Sequence, residues 1–150
     1  MAGPAVESVE IARRPEHVFA YVSDPLTAAE WDASVVSVER EDPCTLAIGS
    51  RTKVMHKLGP WKSSTIEELI DLKPPREWAS RGVSGPLAGT ARGTVEALNG
   101  GQRSRLTIAL SIEARGLGKL LLPIARRISR NVLPKNLQRM KKALERSDGR

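Results

Sequence analysis

The clearest pattern in the chain is an alternation of apolar and polar or small residues over 103–113. The apolar positions are Leu106, Ile108, Leu110 and Ile112. Successive side chains of a strand point to opposite faces, so this period of two predicts a strand with one covered face and one face in water.

Six more runs of strand length lie upstream, separated by Gly, Pro and Asn turn signals such as Gly59-Pro60. One of them, 87–98, places small residues on one side, including Gly89, Ala91 and Gly93. Small residues let a strand bend or leave room for another group. The seven predicted strands span residues 6–12, 35–40, 51–58, 61–72, 77–83, 87–98 and 103–113.

Two short helices are predicted after the first strand. Pro15 and Pro25 each fit a first helical turn, where the missing N–H has no partner in any case. Asp24 precedes the second proline and is a typical N-cap residue. The second helix is expected to end near Trp31.

A long helix is predicted over 116–146. Pro123 falls in its first turns, whereas Pro134 lies well inside and is expected to kink or break it. An antiparallel sheet with one apolar face must be covered, and this helix is the one large element available. The apolar positions that recur at helical intervals are Leu120, Leu121, Ile124, Ile128, Val132, Leu137, Met140 and Leu144.

The positive charge of the chain is concentrated in the predicted helix. Residues 115–150 hold eleven Lys/Arg and two Asp/Glu (net +9), whereas residues 1–114 hold thirteen and fifteen (net −2). Such a segment can contact an anionic membrane or an acidic protein partner, or it can simply be a solvated helix face. Nucleic acid is disfavoured because 115–150 contains no aromatic residue for base stacking.

Other classes of protein are poorly supported. No apolar run approaches the roughly 20 residues of a membrane span, and the N-terminus lacks a signal-peptide pattern, so a cytoplasmic protein is expected. One cysteine and two histidines are few for a metal cluster, and there is no phosphate-binding glycine loop or nucleophile elbow. We therefore expect one domain over 1–150 with no metal and no cofactor.

The order of these segments resembles the START-like (SRPBCC) superfamily, and within it the polyketide cyclase/dehydrase and lipid-transport branch. The resemblance covers nearly the whole chain and implies an α+β helix-grip fold: a seven-stranded curved antiparallel sheet around the C-terminal helix, with a cavity between them. Members bind lipids, sterols or polyketides, and some are aromatase/cyclases. The segments that carry the resemblance are Arg-Pro-Glu-His-Val-Phe-Ala-Tyr-Val-Ser-Asp-Pro (14–25), Trp31-Asp32, Gly49, Glu-Leu-Ile-Asp-Leu-Lys-Pro-Pro-Arg (68–76) and Gly-Leu-Gly-Lys-Leu-Leu-Leu-Pro-Ile-Ala-Arg-Arg (116–127).

Alternation along the strands predicts which residues line such a cavity. It turns Thr52, Val54 and His56 inward on one strand, and Ile66, Glu68, Ile70 and Leu72 on the next, provided that no bulge shifts the phase. The predicted ligand-binding residues are Val54, Ile66, Ile70, Trp78, Ser80, Ala91, Val95, Ile108, Leu110, Leu121, Ile124 and Ile128.

The polar candidates in this cavity leave three functions open. The first is binding or transport of an apolar small molecule. The second is a cyclase or dehydratase in which His56 and Glu68 form an acid/base pair, although the absence of inward arginines weakens the likeness to aromatase/cyclases; the alternative is that His56 is an interior histidine and Glu68 faces solvent. The third is docking of the basic helix on an anionic membrane or acidic partner. The identity of the ligand and the oligomeric state stay open.

Overall fold

The computed structural model describes residues 4–41, 47–58, 60–84 and 87–146. The elements follow the predicted order. They are β1 (Ala5–Ile11), α1 (Pro15–Val22), a 3-10 turn (Pro25–Thr27), α2 (Ala28–Trp31), β2 (Val35–Arg40), β3 (Arg51–Leu58), β4 (Trp61–Lys73), β5 (Glu77–Gly82), β6 (Leu87–Leu98), a 3-10 turn (Asn99–Gly101), β7 (Arg103–Ala114), a 3-10 turn (Gly116–Leu120) and α3 (Leu122–Arg146).

The seven strands form one antiparallel sheet in the order β1-β7-β6-β5-β4-β3-β2. Strands β2 to β7 pair in the order of the sequence, whereas β1 pairs with β7. This curved sheet with a long C-terminal helix and short helices after β1 confirms the predicted α+β helix-grip fold. Because neighbours are antiparallel, β7 ends where β6 starts, β5 ends and β4 starts; we call this the β7 end of the sheet.

The core lies between one face of the sheet and the C-terminal half of α3. We call this face, which carries Leu69 and Trp78, the inner face. Trp78 packs edge-on against Phe19 of α1, with ring centroids 5.8 Å apart. Burial of these apolar groups is the main favourable term in folding. Four residues of α3 complete the buried cluster: Leu133, Leu137, Met140 and Leu144.

The helix α3 continues through Pro134 without interruption. Of the predicted kink or break at this proline, the break is therefore wrong. Leu133 and Leu137 are buried on either side of it, and tertiary packing of this kind supplies most of the stability of a helix. The helix also starts later than predicted, because residues 116–120 form a 3-10 turn that Gly116 enters at a φ of 54°. None of the helices in the described ranges is long and apolar enough to cross a bilayer.

A polar cluster ties the C-terminal end of α3 to the junction of β1 and α1. The Glu145 carboxylate accepts hydrogen bonds from the Ala12 amide and from Lys141 Nζ, both at 2.8 Å. Arg13 donates to the main-chain carbonyl of Glu145. The hydrogen bond from Lys141 is the main cause that lowers the pKa of Glu145. These contacts hold the second half of the helix over the sheet.

Candidate functional site

The hairpin of β3 and β4 fixes which side chains share the inner face. In their register Leu58 pairs with Trp61 and Val54 pairs with Thr65. Paired residues of an antiparallel ladder point to the same face. As predicted, Thr52, Val54 and His56 share one face.

The predicted phase of β4 is wrong in its first half. Glu67 pairs with Thr52 and so shares the face of His56, whereas Ile66 pairs with Lys53 on the other face. Glu68 likewise lies on the outer face, where Arg51 contacts its carboxylate at 3.4 Å. The predicted pair of His56 and Glu68 does not form.

A β-bulge between Leu69 and Asp71 restores the phase further along β4. Leu69 pairs with Ser80, and Leu72 pairs with Trp78, so all four lie on the inner face. Ile70 is the extra residue of the bulge and has no partner in the register with β5. The predicted inward positions of Leu72, Trp78 and Ser80 are thus confirmed, while those of Ile66 and Ile70 are not.

Four polar residues meet beside the start of β2. His56 Nε2 lies 3.6 Å from Glu67 Oε2, and its Nδ1 lies 3.3 Å from Ser34 Oγ. Ser34 Oγ donates in turn to Asp32 Oδ1 at 2.8 Å. When the hydroxyl proton is used in this way, both ring nitrogens of His56 are best placed as donors, which is the arrangement of an imidazolium.

The electrostatics of this cluster favour the charged histidine. The interaction with Glu67 raises the pKa of His56 above its ordinary value of 6.5. Burial lowers that pKa but does not cancel the rise, and the charge of Asp32 adds to it. A histidine that is hydrogen-bonded to a carboxylate in this way can act as a general acid or base.

The centre of the inner face is filled by protein. Gly93 of β6 pairs with Trp78, and a methyl group at Gly93 would overlap the indole ring. Gly93 therefore makes room for Trp78. Val95 and Ile108 are buried in the same cluster. The predicted cavity between the sheet and α3 is occupied at this point by side chains.

The inner face is less covered toward its β7 end. Ser80, Ala91 and Leu110 lie there on adjacent strands and are partly exposed. A cleft of about 40 Å³ opens next to them between β7 and the first half of α3. Its lining comprises Ala5, Leu110, Ser111, Ile112, Arg126, Ser129 and Arg130.

Three helix residues predicted to line the cavity are instead exposed: Leu121, Ile124 and Ile128. The buried residues Leu137 and Met140 lie about 140–160° around the helix axis from Ile124, at 100° per residue. The apolar positions of the helix therefore form two stripes, and only the second faces the sheet.

A larger cleft, of about 650 Å³, lies between α2 and α3 and is bordered mostly by charged residues: Glu30, Arg139, Lys142, Ala143 and Arg146. Its lining does not suit an apolar ligand. Within the part of the chain that the structure describes, no three His, Cys, Asp or Glu residues are grouped to hold a metal ion.

Comparison with known proteins gives a family match and many similar folds. Residues 5–145 match the model of the family described as polyketide cyclase/dehydrase and lipid transport. The sequence matches none of the curated proteins.

The similar solved structures share the fold at low sequence identity. TTHA0849 from Thermus thermophilus has a TM-score of 0.79 and 14% identity over 97% of this chain and 99% of its own. A START superfamily protein from Mycobacterium smegmatis has a TM-score of 0.79 and 13% identity, over 97% and 99%. The Zhui aromatase/cyclase from Streptomyces sp. R1128 has a TM-score of 0.74 and 17% identity, over 95% and 93%.

Proposed function

Because the chain belongs to the polyketide cyclase/dehydrase and lipid transport family, we propose that it binds an apolar small molecule of the lipid or polyketide class on the inner face of its sheet. The observation that carries the proposal is the partly exposed group at the β7 end: Ser80, Ala91 and Leu110, beside the buried Trp78. An apolar surface with one hydroxyl suits such a ligand, and the adjacent cleft adds polar groups at its rim, Arg126, Ser129 and Arg130.

Binding at this place requires the first half of α3 to move outward. The cleft of about 40 Å³ holds on the order of one water molecule. Before Leu133, Ala125 is the one buried residue of α3, so little apolar contact holds that half in place. Segments with few buried contacts open at the lowest free-energy cost.

A substitution that fills the proposed site tests this function. Ala91→Phe is expected to weaken binding of the neutral fluorescent probe N-phenyl-1-naphthylamine by about tenfold or more, the effect of methylene-sized changes in apolar pockets. The matched control is Ala109→Phe, because Ala109 pairs with Arg92 and lies on the outer face of the neighbouring strand. Native mass spectrometry of ligands that co-purify identifies the chemical class. Equal probe affinity in the two variants contradicts this location of the site.

A second candidate function is acid/base chemistry by His56, favoured by its contacts with Glu67 and Ser34. A proton held between a carboxylate and an imidazole could serve a cyclisation or a dehydration of a bound polyketide-like molecule. In this reading Glu67 takes the role that the sequence pattern gave to Glu68.

The pH dependence of His56 tests the pair. We expect its pKa to lie above 6.5 in the wild type and to fall in Glu67→Gln but not in the neighbouring variant Glu68→Gln. Because the pKa of His56 is higher in the folded than in the unfolded state, its protonation stabilises the fold fully below pH 6.5. This contribution is lost as the pH rises through the folded-state pKa. The stability difference between wild type and Glu67→Gln should therefore be largest near pH 6 and stay below about 1 kcal/mol, since both groups are partly solvated.

NMR titration of the imidazole signals, assigned with a His17→Gln variant, and urea unfolding at several pH values supply the measurements. A pKa of His56 that is the same in Glu67→Gln and Glu68→Gln would remove the basis of the second candidate.

A further inference from the structure

The 3-10 turn after β7 and the first half of α3 carry an exposed apolar surface, which we call the apolar patch. Leu121, Ile124 and Ile128 recur three and four residues apart, so they lie on one side of the helix, away from its buried stripe. Large apolar side chains grouped in this way on a surface mark an interaction site more often than chance. The patch comprises Leu117 (84% exposed), Leu120 (77%), Ile124 (58%), Leu121 (43%) and Ile128 (39%).

The segment that carries the patch, together with the rest of α3, is strongly basic. Residues 114–144 contain nine Lys/Arg and no Asp or Glu. Seven of these cations are exposed, and none forms an ion pair with a carboxylate within the described ranges. They are Arg115, Lys119, Arg127, Arg130, Lys135, Arg139 and Lys142.

The outer face of the sheet shows the opposite arrangement. There Arg51, Arg92 and Arg105 each contact a Glu or Asp side chain, at 3.0 to 3.4 Å. The excess positive charge of the protein is thus not spread over its surface. Four of its exposed cations, Arg115, Lys119, Arg127 and Arg130, lie in the same segment as the apolar patch, and the other three continue along α3, where Glu30 borders a cleft with Arg139 and Lys142.

We propose that this surface docks on an anionic lipid bilayer, with the apolar patch in the boundary between headgroups and acyl chains and the flanking cations at the lipid phosphates. An interfacial helix combines an apolar side with Lys and Arg in this way. A second copy of the chain is a poorer occupant, since a symmetric contact would bring two basic surfaces together. Duplex DNA would use the cations but leave the leucines in water.

The docking also goes beyond ligand binding, because it orients the molecule. The patch begins at Leu117, three residues after β7 ends at Ala114. The docked protein would therefore present the β7 end of its sheet, where Ser80, Ala91 and Leu110 are partly exposed, toward the lipid. An apolar molecule could pass between bilayer and protein there with little exposure to water.

The apolar part of the proposal is tested by sedimentation with vesicles of phosphatidylcholine alone or mixed with phosphatidylglycerol. The triple variant Leu117→Ser, Leu120→Ser, Ile124→Ser, which we call the leucine variant, is expected to bind the anionic vesicles about tenfold or more weakly than wild type. Each change withdraws several methylene-sized groups from the lipid. The matched control, Val6→Ser, Leu26→Ser, Ile48→Ser, alters three other exposed apolar residues and should bind as wild type does.

The charge part is tested with the same vesicles. Arg127→Glu with Arg130→Glu should abolish the preference for phosphatidylglycerol, while Lys53→Glu with Lys62→Glu, both exposed on the β3–β4 hairpin, should retain it. Raising the salt concentration should weaken wild-type binding, since the charges act at the solvated surface.

Several results would overturn the proposal. These are equal binding to neutral and anionic vesicles, no binding to either, or unchanged binding by the leucine variant. Two further results would overturn it in favour of another partner. A dimer in sedimentation velocity that the leucine variant loses would indicate a second copy of the chain, and tighter binding to duplex DNA than to anionic vesicles would indicate nucleic acid.

Loss of fold and loss of ligand binding are monitored separately. Circular dichroism and thermal unfolding should match wild type, because every substituted residue is exposed. The leucine variant should still bind N-phenyl-1-naphthylamine, so failure of docking and failure of the proposed ligand site are distinguishable.

Discussion

Trp78→Ala is expected to lower the free energy of unfolding by about 3–5 kcal/mol, the usual cost of removing a large aromatic side chain from a packed core. The indole is 7% exposed, lies over Gly93 and meets the ring of Phe19 at a centroid distance of 5.8 Å. Removing it leaves a cavity at the centre of the inner face. Urea denaturation of the two proteins at one pH measures the difference, and a loss below about 1 kcal/mol would show that the site collapses freely.

Glycine substitutions on β6 provide the control for this prediction. Gly93→Ala places a methyl group where the indole ring lies, so we expect a loss of about 1–3 kcal/mol from overpacking. Gly89→Ala should cost less, because its added methyl meets nothing nearer than the Ser111 carbonyl oxygen at 3.6 Å. In the Trp78→Ala background the cost of Gly93→Ala should largely disappear, as a double-mutant cycle would reveal.

The elements and their order could be predicted because local signals agree with the tertiary fold. Alternation in β7 follows from its one buried face, and Gly and Pro turns mark the strand ends. The small residues of β6 predict either a bend or room for another group, and at Gly93 the structure shows the second. That the group is Trp78 depends on the pairing of β5 with β6, which no local pattern in either strand specifies.

The partner of His56 could have been predicted by counting along the hairpin, but the alternation of apolar residues on β4 favoured the wrong residue. Leu58 pairs with Trp61, and counting along both strands from that pair places Thr52 opposite Glu67. The apolar residues Ile66, Ile70 and Leu72 suggested the other phase. Leu72 points inward only because the bulge after Leu69 adds one residue, and a bulge has no reliable signature in these residue types.

The faces of α3 could not be assigned from spacing alone. Apolar residues at intervals of three to five describe both the stripe of Leu137 and Met140 and the stripe of Ile124 and Ile128. The stripe that meets the sheet is the one whose side chains join the core cluster, and the hydrogen bond from Ala12 to Glu145 ties the end of that half of the helix to the sheet. All three residues of this segment that were predicted to line the cavity, Leu121, Ile124 and Ile128, therefore lie on the surface.

Leu137→Ala should therefore destabilise the protein by about 2–5 kcal/mol, whereas Ile124→Ala should change its stability by no more than about 0.5 kcal/mol. Leu137 is 1% exposed within the core cluster, and its truncation leaves a cavity between α3 and the sheet. Ile124 lies on the same helix but is 58% exposed. The two substitutions are comparable, because each replaces a large aliphatic residue by alanine at a helical position.

Because alanine favours helix at either position, intrinsic propensity cannot explain a difference between the two variants. Urea unfolding monitored by circular dichroism gives both values, and vesicle binding provides the second readout. Leu137→Ala should leave the affinity of the folded protein for anionic vesicles unchanged, and Ile124→Ala should reduce it. Equal destabilisation by the two changes would mean that the first half of α3 packs as the second does, and the apolar patch would then be part of the core rather than a surface for lipid.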